Sequence, residues 1–171
     1  MLEEGYNKDV KAKAREEEHL PLILLSTIIG YDYRKTIRYK VDNDVGKMTK
    51  EIYTRDILPH VLDLKDRGIT LCQDADSVYT SKLTQEWVEE HGFSMMTLPG
   101  KSPDFSILES MAASLKRRFH YRRVTTEEAA LQRFEHIFHD LMNQEVIQNM
   151  YDKYTARLKE CQDRDGQMTR Y

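Results

Sequence analysis

Three short apolar runs, each interrupted by turn-forming or polar residues, limit what this chain can fold into. Residues 22–29 follow Pro21, end on the β-branched Thr27-Ile28-Ile29, and stop at Gly30. Residues 69–74 run Ile-Thr-Leu-Cys-Gln-Asp, and residues 93–98 run Phe-Ser-Met-Met-Thr-Leu. Runs this short, bounded by turn signals, predict strands buried in a sheet rather than helices. Residues 34–41 alternate well enough for a further strand. With a turn at Gly30-Tyr31-Asp32-Tyr33 they predict an antiparallel hairpin.

Between and after the runs the period changes to that of a helix. Thr49 is placed to cap a helix reaching Asp66, with Ile52, Ile57, Val61 and Leu64 on one side and Pro59 interrupting it. Ser81 caps a helix to His91, with Leu83, Trp87 and Val88 inward and Gly92 as its stop. Phe105, Leu108, Met111, Ala112, Leu115 and Phe119 recur at helical spacing. Thr125 with Glu128 predicts a capping box for a helix carrying Phe134, Ile137, Phe138 and Leu141. Ile147, Met150, Tyr154 and Leu158 form one more stripe. Strand, strand, helix, strand, helix, strand and three helices indicate an α/β layer fold with a partly parallel sheet.

A chain of 171 residues is about one domain. Lys and Arg number 26 against 29 Asp and Glu, so the net charge of −3 excludes a wholly basic coating protein but permits a local basic patch. Cys72 and Cys161 have no motif spacing and read as free thiols of a reducing compartment. Neither a signal peptide nor a run long enough to span a bilayer is visible, so the expected class is a soluble intracellular protein, nuclear or cytoplasmic. Residues 1–19 are charged, without an apolar stripe, and are expected to form an arm.

The chemistry concentrates between Leu71 and Arg123. Asp74 falls at the carboxyl end of a predicted strand, the edge at which open α/β sheets bind ligands. Glu109 lies early on the helix after the next strand. Paired carboxylates are hard ligands suited to Mg²⁺ or Mn²⁺; alternatively, a strand-end Asp is a turn residue or cap. Beyond Glu109, residues 116–123 hold Lys116, Arg117, Arg118, Arg122 and Arg123. They read either as phosphate contacts or as a solvated helix end complementing the macrodipole. His136, His139 and Asp140 sit inside an amphipathic pattern and read as surface rather than zinc ligands. Cys72 and the Met95-Met96 pair read as packing, and Trp87 as a core anchor.

Gln73-Asp74-Ala75-Asp76-Ser77-Val78-Tyr79 resembles the second catalytic motif of mariner-superfamily DDE transposases, and Ser102-Pro103-Asp104-Phe105-Ser106-Ile107-Leu108-Glu109 resembles the third. The 34 residues between Asp74 and Glu109 fit that likeness. Ile28-Ile29-Gly30-Tyr31-Asp32, the stretch from Tyr53 to Val61, and the terminal Gly166-Gln167-Met168-Thr169-Arg170-Tyr171 are also similar to fungal-type relatives. Ala75, Tyr79, Ser106, Ile107 and Ala112 depart from the family pattern.

The resemblance implies an RNase H-like mixed sheet flanked by helices, with C-terminal helices, and lacking the first, central strand. That strand would carry the family's first catalytic Asp. Its absence deprives the runs at 22–29 and 69–73 of a shared neighbour, so their backbone groups need another partner. The implied organisation is an arm at 1–19, a truncated DDE domain at 20–123 and a helical extension at 124–171. The implied ancestral activity is metal-dependent DNA cleavage and strand transfer, with Asp74 and Glu109 as catalytic metal ligands for Mg²⁺ or Mn²⁺, or with neither ion held by this fragment. Asp9 and Asp32 are candidates for the third ligand. DNA is the implied partner, with homo-oligomerisation through the C-terminal helices and neither a membrane nor a small-molecule substrate expected. The expectation is little or no activity for this chain alone. A second reading is a non-catalytic nucleic-acid-binding or protein-interaction module.

Overall fold

Ser26, Thr27, Ile28 and Ile29 are stiff, extended-favouring residues or their neighbours, and they lie in β1 (Leu24–Gly30), which pairs antiparallel with β2 (Tyr33–Tyr39). The register runs from Leu24 opposite Tyr39 to Gly30 opposite Tyr33, leaving Tyr31 and Asp32 as the turn. A Cβ on Gly30 would lie 3.1 Å from that of Tyr33, so glycine allows the close pairing at the turn. In this computed structural model, residues 23–43, 46–99, 106–120 and 124–166 are described. The expected arm at 1–19, the first half of the third motif (102–105), Arg122, Arg123 and most of the terminal motif (167–171) lie outside those residues.

Thr49 caps the next segment as its sequence predicts, its Oγ1 accepting from Ile52 N–H at 3.3 Å. The helix is then compound. α1 (Lys50–Ile52) leads into a widened π turn at Tyr53–Ile57, a tight 3₁₀ turn at Leu58–Val61, and α2 (Asp63–Asp66). Pro59 is the physical cause. It has no N–H to continue the ladder, and Leu58 N–H reaches back five residues to the Tyr53 carbonyl. The widened turn brings Tyr53 and Leu58 inward beside Ile57, Val61 and Leu64. These five, with Tyr33, Ile37, Leu71 and Phe93, form the core, and each fully buried aliphatic contributes roughly 1.5–3 kcal/mol.

β3 (Leu71–Gln73) and β4 (Met95–Thr97) pair in parallel, with Leu71 opposite Met95 and Gln73 opposite Thr97. Between them lie α3 (Ser77–Thr80) and α4 (Lys82–Glu90). Ser81 caps α4, accepting from Thr84 N–H at 3.2 Å, and Gly92 ends it at φ +58°. The inward face differs from the expected one. Leu83 is exposed and Thr84 is fully buried, because Thr84 Oγ1 donates to the Val78 carbonyl at 2.7 Å and bonds Ser81 Oγ at 2.9 Å, which satisfies the hydroxyl. Trp87 packs on the core as anticipated and stacks on His91, ring centres 3.9 Å apart.

Further corrections concern exposure. Met96 is 52% exposed and Cys72, opposite it, is also exposed, so neither packs in the core. β1 is half-buried along its whole length rather than enclosed. β1 has β2 on one edge and β3 has β4 on one edge. Among the described residues, no strand pairs with the other edge of either, and the sheets remain two-stranded.

α5 (Ile107–His120), α6 (Glu127–Leu141), α7 (Gln144–Asp152) and α8 (Tyr154–Asp163) complete the chain. Thr126 rather than Thr125 caps α6, accepting from Ala129 N–H at 3.2 Å. The expected stripe from Ile147 to Leu158 is divided between α7 and α8 by a break at Lys153, which leaves Leu158 exposed while Ile147 is fully buried. The chain divides into two compact units. One is Leu24–Met111 with Gln144–Tyr171, and the other is Met1–Ile23 with Ala112–Asn143. In the second unit Ala130, Ile137 and Phe138 are buried, and Phe134 stacks on Phe138 at 5.6 Å.

Candidate active site

The parallel β3–β4 pair positions the first candidate. Leu71 N–H donates to the Ser94 carbonyl at 2.9 Å and Leu98 N–H to the Gln73 carbonyl at 2.7 Å. Both Leu71 and Gln73 therefore turn their main-chain groups towards β4, and Cys72 turns its own to the free edge. Asp74 follows directly at the carboxyl end of β3. It is exposed, and its Oδ1 accepts from Ala75 N–H at 2.7 Å. The capping role that a strand-end acid often has falls to Asp76, whose Oδ1 accepts from Val78 N–H at 2.9 Å at the start of α3. Asp74 is thus not the cap, and its Oδ2 has no partner among the described residues.

Glu109 is exposed in the first turn of α5, where its charge suits the helix dipole, and its N–H donates to Ser106 Oγ at 3.4 Å. Gln73, which precedes Asp74, and Leu108, which precedes Glu109, both line one cleft of about 420 Å³. The chain thus brings the two segments carrying the predicted acids to a common cleft. Two exposed carboxylates of this kind fit part of a hard-cation site, since their oxygens are available and charged. Among the described residues, no group of three or more His, Cys, Asp or Glu side chains is placed to hold a metal. Asp32, one candidate for a third ligand, accepts from Arg67 Nη2 at 2.6 Å in the hairpin turn; Asp9 lies outside the described residues.

Beside the acids, Tyr79 packs edge-on against Tyr53, ring centres 4.9 Å apart. Burial raises the Tyr79 hydroxyl above its usual pKa, with Asp76, Tyr39 and Asp74 adding to the effect. Gln73 is 9% exposed and donates to Tyr53 Oη and, at 2.9 Å, to Met95 Sδ; its Oε1 has no partner. The cleft wall and the Gln73–Tyr53 pair went unanticipated, since both arise from contacts between distant segments.

The basic stretch lies on the second unit's part of α5. Lys116 and Arg117 are exposed, with Arg117 Nη2 3.5 Å from Ser114 Oγ. Arg118 is tied to α6 by an ion pair to Asp140 at 2.6 Å, and Arg133 of α6 donates to the Phe119 and Arg118 carbonyls. Arg122 and Arg123 lie outside the described residues. His136 and His139 are exposed on α6, and Asp140 is engaged by Arg118.

A family model described as DDE superfamily endonuclease matches residues 4–132. The transposable element Tc1 transposase of Caenorhabditis elegans is 25% identical over 122 residues, covering 71% of this chain and 44% of that protein. The chain thus spans less than half the length of this relative. A solved structure of the Mos1 transposase catalytic domain with Raltegravir and Mg superposes with a TM-score of 0.71 at 13% identity, covering 86% of this chain and 77% of the other. The crystal structure of the catalytic domain of Mos1 mariner transposase gives 0.63 at 10% identity, covering 99% and 100%. No helix among the described residues is long and apolar enough to cross a membrane. The fold is of the mixed α/β, RNase H-like kind found in that catalytic domain, and the chain belongs to the DDE superfamily endonucleases.

Proposed function

We propose that this chain is a transposase-derived DDE domain that acts on DNA, with Asp74 and Glu109 as carboxylate ligands for Mg²⁺ or Mn²⁺, and that alone it has little or no nuclease activity. The observation carrying this reading is the exposed strand-end carboxylate of Asp74, engaged only through Oδ1 by Ala75 N–H among the described residues, with the residues preceding Asp74 and Glu109 lining one cleft. When bound, such an ion activates a water or hydroxyl and stabilises the leaving oxygen in phosphodiester chemistry. Asp74 and Glu109 supply the negative charge that holds the ion. Gln73, anchored to Tyr53 and Met95, fixes the strand end from which Asp74 projects. The inactivity rests on count: the resemblance implies three carboxylates, and this reading assigns two.

Lys116, Arg117, Arg118, Arg122 and Arg123 contact DNA phosphates in this reading. The exposure of Lys116 and Arg117 supports it, while the Arg118–Asp140 pair reduces the weight on Arg118. The domain would occupy residues 20–123, after an arm at 1–19 and before a helical extension at 124–171. Exposed Leu158 supports self-association through that extension, and DNA as partner implies an intracellular site of action.

Two measurements on the full chain test the reading. Mn²⁺ binding followed by electron paramagnetic resonance is expected to weaken in Asp74→Ala and in Glu109→Gln; binding unchanged in both refutes the ligand assignment. In a Mg²⁺- or Mn²⁺-dependent nicking assay on duplex DNA, no cleavage is expected. Robust cleavage abolished by Asp74→Ala refutes the inactivity.

A further inference from the structure

The last turn of α5 meets α6 at Arg118, which is held twice. Its main chain is clamped: Arg133 of α6 donates from Nε to the Phe119 carbonyl at 2.9 Å and from Nη2 to the Arg118 carbonyl at 2.6 Å. Those carbonyls are among the last four of the helix, which have no partner within it, so a guanidinium fork from α6 closes the end of α5. The Arg118 side chain is tied separately, its Nη1 lying 2.6 Å from Asp140 Oδ2. Lys116 has no such partner among the described residues, and Arg117 reaches only Ser114 of its own helix. Of the three described Lys and Arg side chains in the basic stretch, Arg118 alone is paired with a carboxylate.

The two ties differ in kind. The Arg133 fork already fixes the end of α5, so the contact between the helices does not need Asp140. The Arg118–Asp140 pair is open to water, its side chains 51% and 64% exposed, and an ion pair in that setting adds little to stability. It is also incomplete. A guanidinium and a carboxylate can meet through two parallel bonds, yet here only Nη1 and Oδ2 meet. Arg118 Nε and Nη2 and Asp140 Oδ1 have no partners among the described residues. A phosphate presents the same fork of anionic oxygens as a carboxylate and can engage two of those donors. Asp140 lies in an open concavity of α6 that Glu135 also lines. That face is therefore acidic, and it repels phosphate while holding an arginine suited to bind one.

We propose that Asp140 is an intramolecular stand-in for a DNA phosphate: it holds Arg118 back until a phosphate of the duplex takes its place, and so lowers the affinity of the α5 surface for DNA. With Arg133 clamping the main chain, the exchange moves the Arg118 side chain alone. The inference rests on the reading that α5 contacts DNA phosphates, and it does not depend on metal binding by Asp74 or Glu109.

The probe is a short fluorescently labelled duplex of mixed sequence, titrated with the full chain and followed by anisotropy over a series of salt concentrations. Near 0.15 M salt, where charges beyond about 8 Å are largely screened, Asp140→Asn is expected to bind about two- to fivefold more tightly than wild type. The gain is expected to vanish in an Arg118→Ala background and to persist in a Lys116→Ala background. Asp140→Glu keeps the carboxylate and is expected to bind as wild type does. A second measurement leaves Asp140 untouched, so a disturbed α6 does not obscure the result. Arg118→Ala is expected to reduce the slope of log affinity against log salt by about 0.9, because Arg118 meets a phosphate in the wild-type complex. Unchanged or weaker binding by Asp140→Asn, an equal gain without Arg118, or an unchanged slope in Arg118→Ala overturns the inference while the DNA reading stands. Failure of wild type and every variant to bind the duplex overturns that reading, and the inference with it.

Discussion

Changing Tyr53 to Phe tests how the end of β3 is held. Tyr53 is 3% exposed and Gln73 9%, and the Tyr53 hydroxyl accepts from Gln73 Nε2. Removing the hydroxyl leaves the Gln73 amide with Met95 Sδ, a weak acceptor, while Gln73 Oε1 already has no partner. An unsatisfied buried group costs about 1–3 kcal/mol. For a chain of this size, that lowers Tm by roughly 2–12 °C. Gln73→Leu alone orphans the Tyr53 hydroxyl but also deletes the unpaired Oε1, and these two terms offset to within about 1 kcal/mol of wild type. The double variant removes every polar atom of the pair together with the orphan. It is expected to be as stable as wild type or more stable, with a coupling energy of about 1–3 kcal/mol. Urea unfolding of all four proteins, compared through midpoints at unchanged slope, measures the cycle. Additivity of the single variants to within about 0.5 kcal/mol refutes the account.

The α6 cap gives a sharper local test. Thr126→Ala is expected to destabilise by about 1 kcal/mol through loss of the bond to Ala129 N–H, whereas Thr125→Ala is expected to be nearly neutral; thermal unfolding that ranks them the other way refutes the assignment. Alkaline pH tests the hairpin. Burial, then the charge and hydrogen bond of Asp63, push Tyr33 up to about 12 against the lowering effect of Arg67. Its folded pKa exceeds the unfolded value of about 10, so its contribution is intact below pH ~10 and declines towards pH ~12. Tyr33→Phe is expected to flatten the pH dependence in that window, and an unchanged slope in urea midpoints refutes it.

Local chemistry explains what could be read in advance. The β-branched run before Gly30, the Thr49 and Ser81 caps, the Pro59 interruption and the Gly92 stop each act within a few residues of chain, and each is found where its chemistry requires. Which side chain is buried depends instead on the partners the folded chain offers it. Thr84 displaced Leu83 from the interior because its hydroxyl found Val78 and Ser81, and Met96 stayed exposed because no described strand or helix covers that face with the expected packing.

The candidate site divides in the same way. The sequence by itself determined the hairpin, the α/β alternation and the spacing of Asp74 from Glu109, because period, caps and motif order are properties of consecutive residues. Only the tertiary structure decided that Gln73 and Leu108 share a cleft and that Tyr151 reaches Ile29 across 122 positions of chain. Those outcomes rest on contacts between segments far apart in the chain, which exist only once those segments have packed.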